Sequence, residues 1–287
     1  MKIKIGTRKS KLALAQTKMV ADRISKVFPE TEIQIINIST TGDKILNKPL
    51  AAIGGKGVFV SEIESALING EIDIAVHSAK DLPLCLENNL EISGVLKRGN
   101  YRDVLVTKSG VSIDNQSDFA VGTGSLRRIL NFKKLYPNAT FKDIRGNVDT
   151  RLKKLENGEY DGIILAAAGL ERLGYDSDNR FNLKYFDYND FLPAPCQGII
   201  AIESRKSDFA TPVINKINDI NTFYSFETER YILKLLNADC GMPLGVYSFI
   251  KDDKITVAIS NNKDSSVIGT DTIPNRLKLA EELVSKL

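Results

Sequence analysis

The sequence predicts an α/β protein: two domains of alternating strands and helices, followed by a small α+β domain. Three observations carry this. Strand-like and helix-like hydrophobic periods alternate from Lys2 to about Leu173. The helical stretches between strands run to ten or so residues, the length that βαβ units and parallel sheets need. After Gly241 the pattern changes to short alternating runs and a closing helix.

Lys2 to Gly6 is a short β run, and Lys11 to Val27 has helical periodicity. Glu32 to Ser39 alternates as a strand does. Gly57 to Asn69 reads as a helix with Val58, Ile63, Ala66 and Leu67 on its apolar side. Ile72 to Ser78 is a buried strand, and Leu90 to Lys97 and Asp103 to Lys108 are two more. A second series follows. Its strands are Phe119 to Thr123, Thr140 to Ile144 and Gly162 to Ala166. Its helices are Leu126 to Leu135, Val148 to Glu156 and Ala168 to Leu173. Ile199 to Glu203 is an apolar strand that returns the chain to the first sheet, with Pro193 and Pro195 marking the crossover. Thr222 to Leu236 is a helix. Val246 to Ile250, Lys254 to Ser260 and Ser266 to Thr272 form a small antiparallel sheet. Asn261 to Asp264 is a turn, and Arg276 to Leu287 is the last helix. The expected domains are 1–97 with 198–215, 98–197, and 216–287.

Composition limits the function. The 287 residues are 43% hydrophobic and 26% charged, the balance of an ordinary globular protein. A net charge of +3 without a basic face or tail argues against a nucleic-acid partner. There is no apolar run of 18 residues, so no membrane span is expected. The first residues read as a strand rather than a signal peptide. Three widely separated cysteines make no disulfide framework, and the expected setting is the cytoplasm with reduced thiols. A single His excludes a His-rich metal site, and no metal is expected.

Basic residues gather at three strand-to-helix junctions: Gly6-Thr7-Arg8-Lys9-Ser10, Gly122 to Arg128, and Arg145 to Arg151. A helix N-terminus offers unpaired N–H groups and a partial positive charge. Ser10, Ser125 and Asn147 suit the N-cap. Cations are unfavourable there by themselves, so Arg8, Arg127, Arg128, Arg145 and Arg151 predict an anion that supplies the missing negative charge. The competing reading is that each arginine pairs with a carboxylate of the protein. Gly54-Gly55-Lys56-Gly57 lacks P-loop spacing, and Gly122-Thr123-Gly124 has Arg127 where a dinucleotide fingerprint needs its third glycine. Several carboxylates are therefore the expected ligand groups, since arginine forks bind them well.

Asp81 follows the buried strand and precedes Pro83; it either caps a turn or faces the same ligand as the arginines. Ionised among cations, it could accept an N–H or stabilise a developing cation. His77 reads as a satisfied interior His. Cys240, in a loop flanked by Gly241 and Pro243, is either an unremarkable thiol or accessible to a covalent partner.

Together these segments resemble the porphobilinogen deaminase (hydroxymethylbilane synthase) family. The matching stretches are Gly6 through Gln16, Thr41-Gly42-Asp43, Gly54 to Val60, Asp73 to Pro83, Gly122 to Arg128, Arg145 to Arg151, Gly162 to Gly174, Leu192 to Gly198, and Asp239 to Gly245. The resemblance implies two periplasmic-binding-protein-like α/β domains around a cleft plus the small C-terminal domain. It implies a transferase of tetrapyrrole (heme) biosynthesis. That enzyme condenses four molecules of porphobilinogen on a covalent dipyrromethane primer, with loss of ammonia, and water then releases hydroxymethylbilane. Cys240 then matches the thioether attachment point and Asp81 the catalytic aspartate. Lys80, Thr123, Ser125, Arg127, Arg128, Arg145, Gly146 and Arg151 match cofactor contacts. Arg8, Ser10, Arg145, Arg151 and Arg172 match substrate contacts. No metal is implied, and a monomer is expected. Three positions depart from the family pattern. Gly124 stands where Ser is common, Ser61 where a basic residue is common, and Cys196 replaces a usual Gly, which raises an oxidation-sensitive hinge. The Asp239-to-Met242 loop also differs from the family's Gly-Gly-Cys-Gln. A non-catalytic binding module for an organic polyacid is the alternative; it explains the arginines but not Asp81 and Cys240 together.

Overall fold

The computed structural model describes residues 1–44, 60–113, 118–238, 242–261 and 265–287. In chain order the elements are β1 (Lys2–Arg8), α1 (Lys11–Val27), β2 (Glu32–Ile38), α2 (Thr41–Lys44), α3 (Ser61–Ile68) and β3 (Ile74–Ser78). A 3-10 turn at Ala79–Asp81 precedes β4 (Leu90–Val95), β5 (Asp103–Lys108), β6 (Ala120–Gly122), α4 (Leu126–Leu135) and β7 (Thr140–Lys142). Then come α5 (Val148–Glu156), β8 (Gly162–Ala166), α6 (Ala167–Arg172), β9 (Phe181–Tyr185), β10 (Ile200–Arg205), α7 (Thr211–Ile217) and α8 (Ile220–Leu235). Last are β11 (Gly245–Lys251), β12 (Lys254–Ser260), β13 (Ser266–Thr272) and α9 (Arg276–Val284). The chain divides into two compact units, residues 1–98 with 199–226 and residues 99–198 with 227–287.

The first unit is built on a five-stranded sheet of order β2-β1-β3-β10-β4. β1 runs parallel to β2 and β3, whereas β10 is antiparallel to both its neighbours. The expected return of the chain at residues 199–203 is therefore observed, but the sheet is mixed rather than parallel. Alternation in β1 buries Ile3 and Ile5, and α1 lays Val20 and Ile24, four residues apart, against them. Burying each of those side chains contributes roughly 1.5–3 kcal/mol.

This unit also buries charge. His77 on β3 meets Glu203 on β10 at 2.9 Å, with their side chains 6% and 0% exposed. Glu203 Oε1 has no hydrogen-bond partner among the described residues. Among the described residues, Glu64 of α3, 4% exposed, accepts only a long bond, 3.4 Å, from the Glu87 amide. Burial first, then repulsion from Glu203, pushes the Glu64 carboxyl above its ordinary 4.5. The folded state thus keeps a proton that the unfolded chain releases. The stability this gives is complete below about pH 4.5 and is lost as pH rises through the raised folded value. Glu64→Gln is expected to raise the Tm at pH 7 and to converge with the parent near pH 4. Parallel melting curves at the two pH values would exclude that account.

The second unit repeats the plan. Its sheet has the order β7-β6-β8-β5-β9, with β6 parallel to β7 and β8 and with β5 antiparallel to β8 and β9. In each sheet the antiparallel strand lies between the third and fourth members of a parallel set. The units are thus two α/β layers of one topology. One face of the second sheet packs Val104, Val106, Ile163 and Leu165 against Leu152 and Leu155 of α5. Its other core stacks Phe132 on Tyr136 and Phe186 on Phe191.

The C-terminal residues form the antiparallel sheet β11-β12-β13, covered by α9 through Leu279, Ala280 and Leu283. Glu229 of α8, fully buried, binds this sheet to the preceding chain. Its carboxylate accepts the Ser248 amide and hydroxyl at 2.8 and 2.9 Å, and the Cys196 amide at 2.5 Å. Cys196 is 1% exposed and sits at φ +60°, a left-handed conformation that favours glycine. Burial at 1% exposure corrects the expectation of an oxidation-sensitive thiol there, since oxidation needs access. Ser61 opens α3, where a basic side chain would oppose the helix dipole.

Several elements lie beyond the sequence reading. β9, α7 and the short α2 were not predicted. The part of the 57–69 helix before Val60, the Gly54-to-Gly57 segment and most of the 261–264 turn lie outside the described residues.

Candidate active site

In the first unit, parallel pairing brings the carboxyl ends of β1 and β3 together. Arg8 is the last residue of β1 and is partly buried. Ser10 follows it as the N-cap of α1, and its Oγ accepts the Ala13 amide at 3.2 Å. That hydroxyl is therefore engaged with its own helix. Lys80 and Asp81 stand on the 3-10 turn after β3, and both are exposed.

The turn is anchored from below. The buried Gln16 of α1 and Ser78 exchange two hydrogen bonds, Nε2 donating to Oγ at 2.8 Å and Oγ donating to Oε1 at 3.1 Å. The Ala79 amide donates to Ile199 O at 3.0 Å. An exposed carboxylate on a fixed turn is a positioned acceptor.

In the second unit the basic residues sit at strand ends, but they have partners. Thr123 is buried, and its Oγ1 accepts the Ser125 amide. Ser125 is the N-cap of α4 and accepts the Arg128 amide. Arg127 and Arg128 occupy the first turn of α4, where the dipole opposes cations. Contrary to the expectation of an external anion alone, an internal carboxylate offsets one of their two charges. Asp103 is 0% exposed; its Oδ1 accepts Arg128 Nε at 2.9 Å and Nη2 at 2.7 Å, and its Oδ2 meets Arg127 Nη1 at 2.7 Å. Arg127 Nη1 also donates to Leu192 O at 2.7 Å, and Arg128 Nη1 to Ile164 O at 2.9 Å. Burial lowers the Arg127 pKa, and Asp103 opposes that.

The reading from sequence missed Asp103. Its position follows from the antiparallel pairing of β5 with β8, which sets Asp103 opposite Ala166, at the carboxyl end of β8.

Arg145 pairs with Asp143 at 3.2 Å, both partly exposed, an ion pair worth about 0–1 kcal/mol and easily exchanged for a ligand. The Asp143 carboxylate lies where a side chain at Gly124 would project, so the family's common Ser there would displace it. Gly146 has φ +112°, and a Cβ would press on Thr150; the turn requires glycine. Asn147 has N-cap geometry, but its side chain makes no capping bond. Arg151 Nε donates to Gly146 O at 2.7 Å, which folds the arginine back over this junction.

Arg172 ends α6, where a cation is favoured. Its Nη2 donates to Gly198 O at 2.6 Å. Burial pushes its pKa down to about 10, with Glu171 opposing, so it stays charged at neutral pH. Cys240 lies outside the described residues.

These donors suit a ligand rich in carboxylates. Arg172 bonds a main-chain carbonyl rather than a carboxylate, and Arg145 holds only an exchangeable surface acid. Two α/β layers of one plan, with cations at the carboxyl ends of their strands and a positioned acceptor on a fixed turn, define an enzyme scaffold for small carboxylated ligands.

Comparison with known proteins narrows this class. Residues 3–212 match the family model described as porphobilinogen deaminase, dipyrromethane cofactor binding domain. A probable porphobilinogen deaminase of Picrophilus torridus is 48% identical over 250 residues, 86% of each chain. A porphobilinogen deaminase of Acetivibrio thermocellus is 44% identical over 259 residues, covering 90% of this chain and 86% of the relative. Among solved structures, the Bordetella pertussis BvgS VFT2 domain is 14% identical with a TM-score of 0.45, covering 79% of this chain and 92% of that one. The chain belongs to the porphobilinogen deaminase family, whose cofactor is dipyrromethane.

Proposed function

We propose that the chain condenses four porphobilinogen molecules with loss of ammonia and releases hydroxymethylbilane, with Asp81 as the catalytic residue. The observation that carries this is the exposed Asp81 carboxylate on its anchored turn, in a chain of this family. Dipyrromethane, held through Cys240, supplies the pyrrole carbon on which the chain starts. Arg145, Arg151 and Arg172 orient carboxylate arms, and Arg127, Arg128, Lys80, Thr123 and Ser125 complete the cofactor's surroundings. Arg8 and Ser10 serve the incoming porphobilinogen.

Asp81 accepts pyrrole N–H groups, and its charge stabilises the cation that develops as the amine leaves. The arginines act by holding the reacting groups in place, which makes the step effectively unimolecular. A binding module without catalysis would leave Asp81 with no task.

We read the enzyme as a cytoplasmic monomer with domains 1–97 with 198–215, 98–197, and 216–287, the last carrying Cys240. No helix among the described residues is long and apolar enough to cross a membrane.

Intact-protein mass spectrometry tests the reading. The wild-type chain is expected to carry an adduct of two pyrrole units that gives colour with an aldehyde reagent. Cys240→Ser is expected to lack it. An active chain without the adduct would refute the assignment.

A further inference from the structure

We propose that Asp103 positions the arginines of α4 and sets their charge, so that the pair receives one carboxylate and rejects dianions. Each oxygen of its carboxylate takes a different guanidinium, Oδ1 that of Arg128 and Oδ2 that of Arg127. Two guanidiniums and one carboxylate leave a net charge of +1. All three nitrogens of Arg128 are directed at protein oxygens. Arg127 differs. Its Nη1 is held by Asp103 and by Leu192 O, while its Nε and Nη2 make no hydrogen bond to a described residue.

One arginine is thus a fixed support and the other presents a free edge. Without Asp103, two like charges would share a nearly sealed site, where repulsion is strong. They would also invite sulfate or phosphate in place of a carboxylate arm. The inference rests on the reading of these arginines as ligand-holding groups.

The test uses the full chain carrying Cys240→Ser, so that no covalent ligand competes. Sulfate and acetate are titrated separately at low ionic strength, with thermal stability as the readout. Adding Asp103→Asn is expected to raise the preference for sulfate over acetate about tenfold, the effect of one unit of uncancelled charge at short range. Adding Arg128→Met as well restores the net +1 and should return the preference to that of the parent. An unchanged preference in Asp103→Asn overturns the proposal. If that variant does not fold, the double variant decides: the parent's preference supports charge-setting, and a shifted one overturns it. Failure of both to fold would assign Asp103 to the fold alone and overturn it as well. A wild-type mass without the pyrrole adduct would instead sink the functional reading and leave the sulfate result standing.

Discussion

Replacing Asp81 by Ala is expected to leave the chain folded and to lower turnover by about 10²–10³-fold, the usual loss when one preorganised electrostatic group is removed. The two halves of this expectation have separate causes. The side chain is exposed and makes no capping bond among the described residues, and the bonds that fix its turn run through Ser78, Gln16 and the Ala79 amide. Stability should therefore change by less than about 0.5 kcal/mol, as for other surface substitutions. The chemistry depends on a negative charge held where a cation develops. Asp81→Asn keeps the size and the acceptor oxygen but loses the charge, so it should stay close to the Ala variant. Asp81→Glu keeps the charge at a shifted position and should recover part of the rate. The measurement pairs melting curves with single-turnover ammonia release. Near-normal release by a folded Ala variant would refute the role.

Much of the fold was legible because hydrophobic period reports burial directly. The bounds of α1, β5, α4, α5 and β8 match the structure residue for residue. β9 was missed because its alternation, Phe-Asn-Leu-Lys-Tyr, is only five residues long and lies on a sheet edge. α7 is a seven-residue helix of about two turns, opened by Thr211-Pro212 and too short for a period to emerge. Strand direction was not legible either. The alternation of strands with helices implies parallel sheets, yet β5 and β10 run antiparallel to their neighbours. That error hid Asp103. As the first residue of an apolar strand it looks like a strand-end charge, and its partners lie 24 and 25 residues away on a helix. The three arginine clusters were visible, but sequence could not separate Arg127 and Arg128, which have a buried internal counter-charge, from Arg145 with its exchangeable surface acid. Asp81 and Cys240 owe their roles to the family resemblance; the structure adds the anchored turn for the first.

His77 shows how the same buried carboxylate logic becomes a stability prediction. His77→Leu is expected to cost about 3–5 kcal/mol, because it removes the partner and leaves Glu203 buried and alone. Among the described residues Glu203 Oε1 already lacks a hydrogen bond, and Oε2 would lose its bond to the imidazole, which offsets its desolvation. Adding Glu203→Gln removes the charge that needs a partner and should recover more than half of the loss. Urea unfolding of the single and double variants checks this, and a double variant no more stable than the single one would show that packing, not charge, is what His77 provides. Turnover per folded molecule should stay at the wild-type level. The Asp81 turn is held by Gln16, Ser78 and Ile199 O, none of which bonds the imidazole, so His77 supports the sheet under the site without taking part in the reaction.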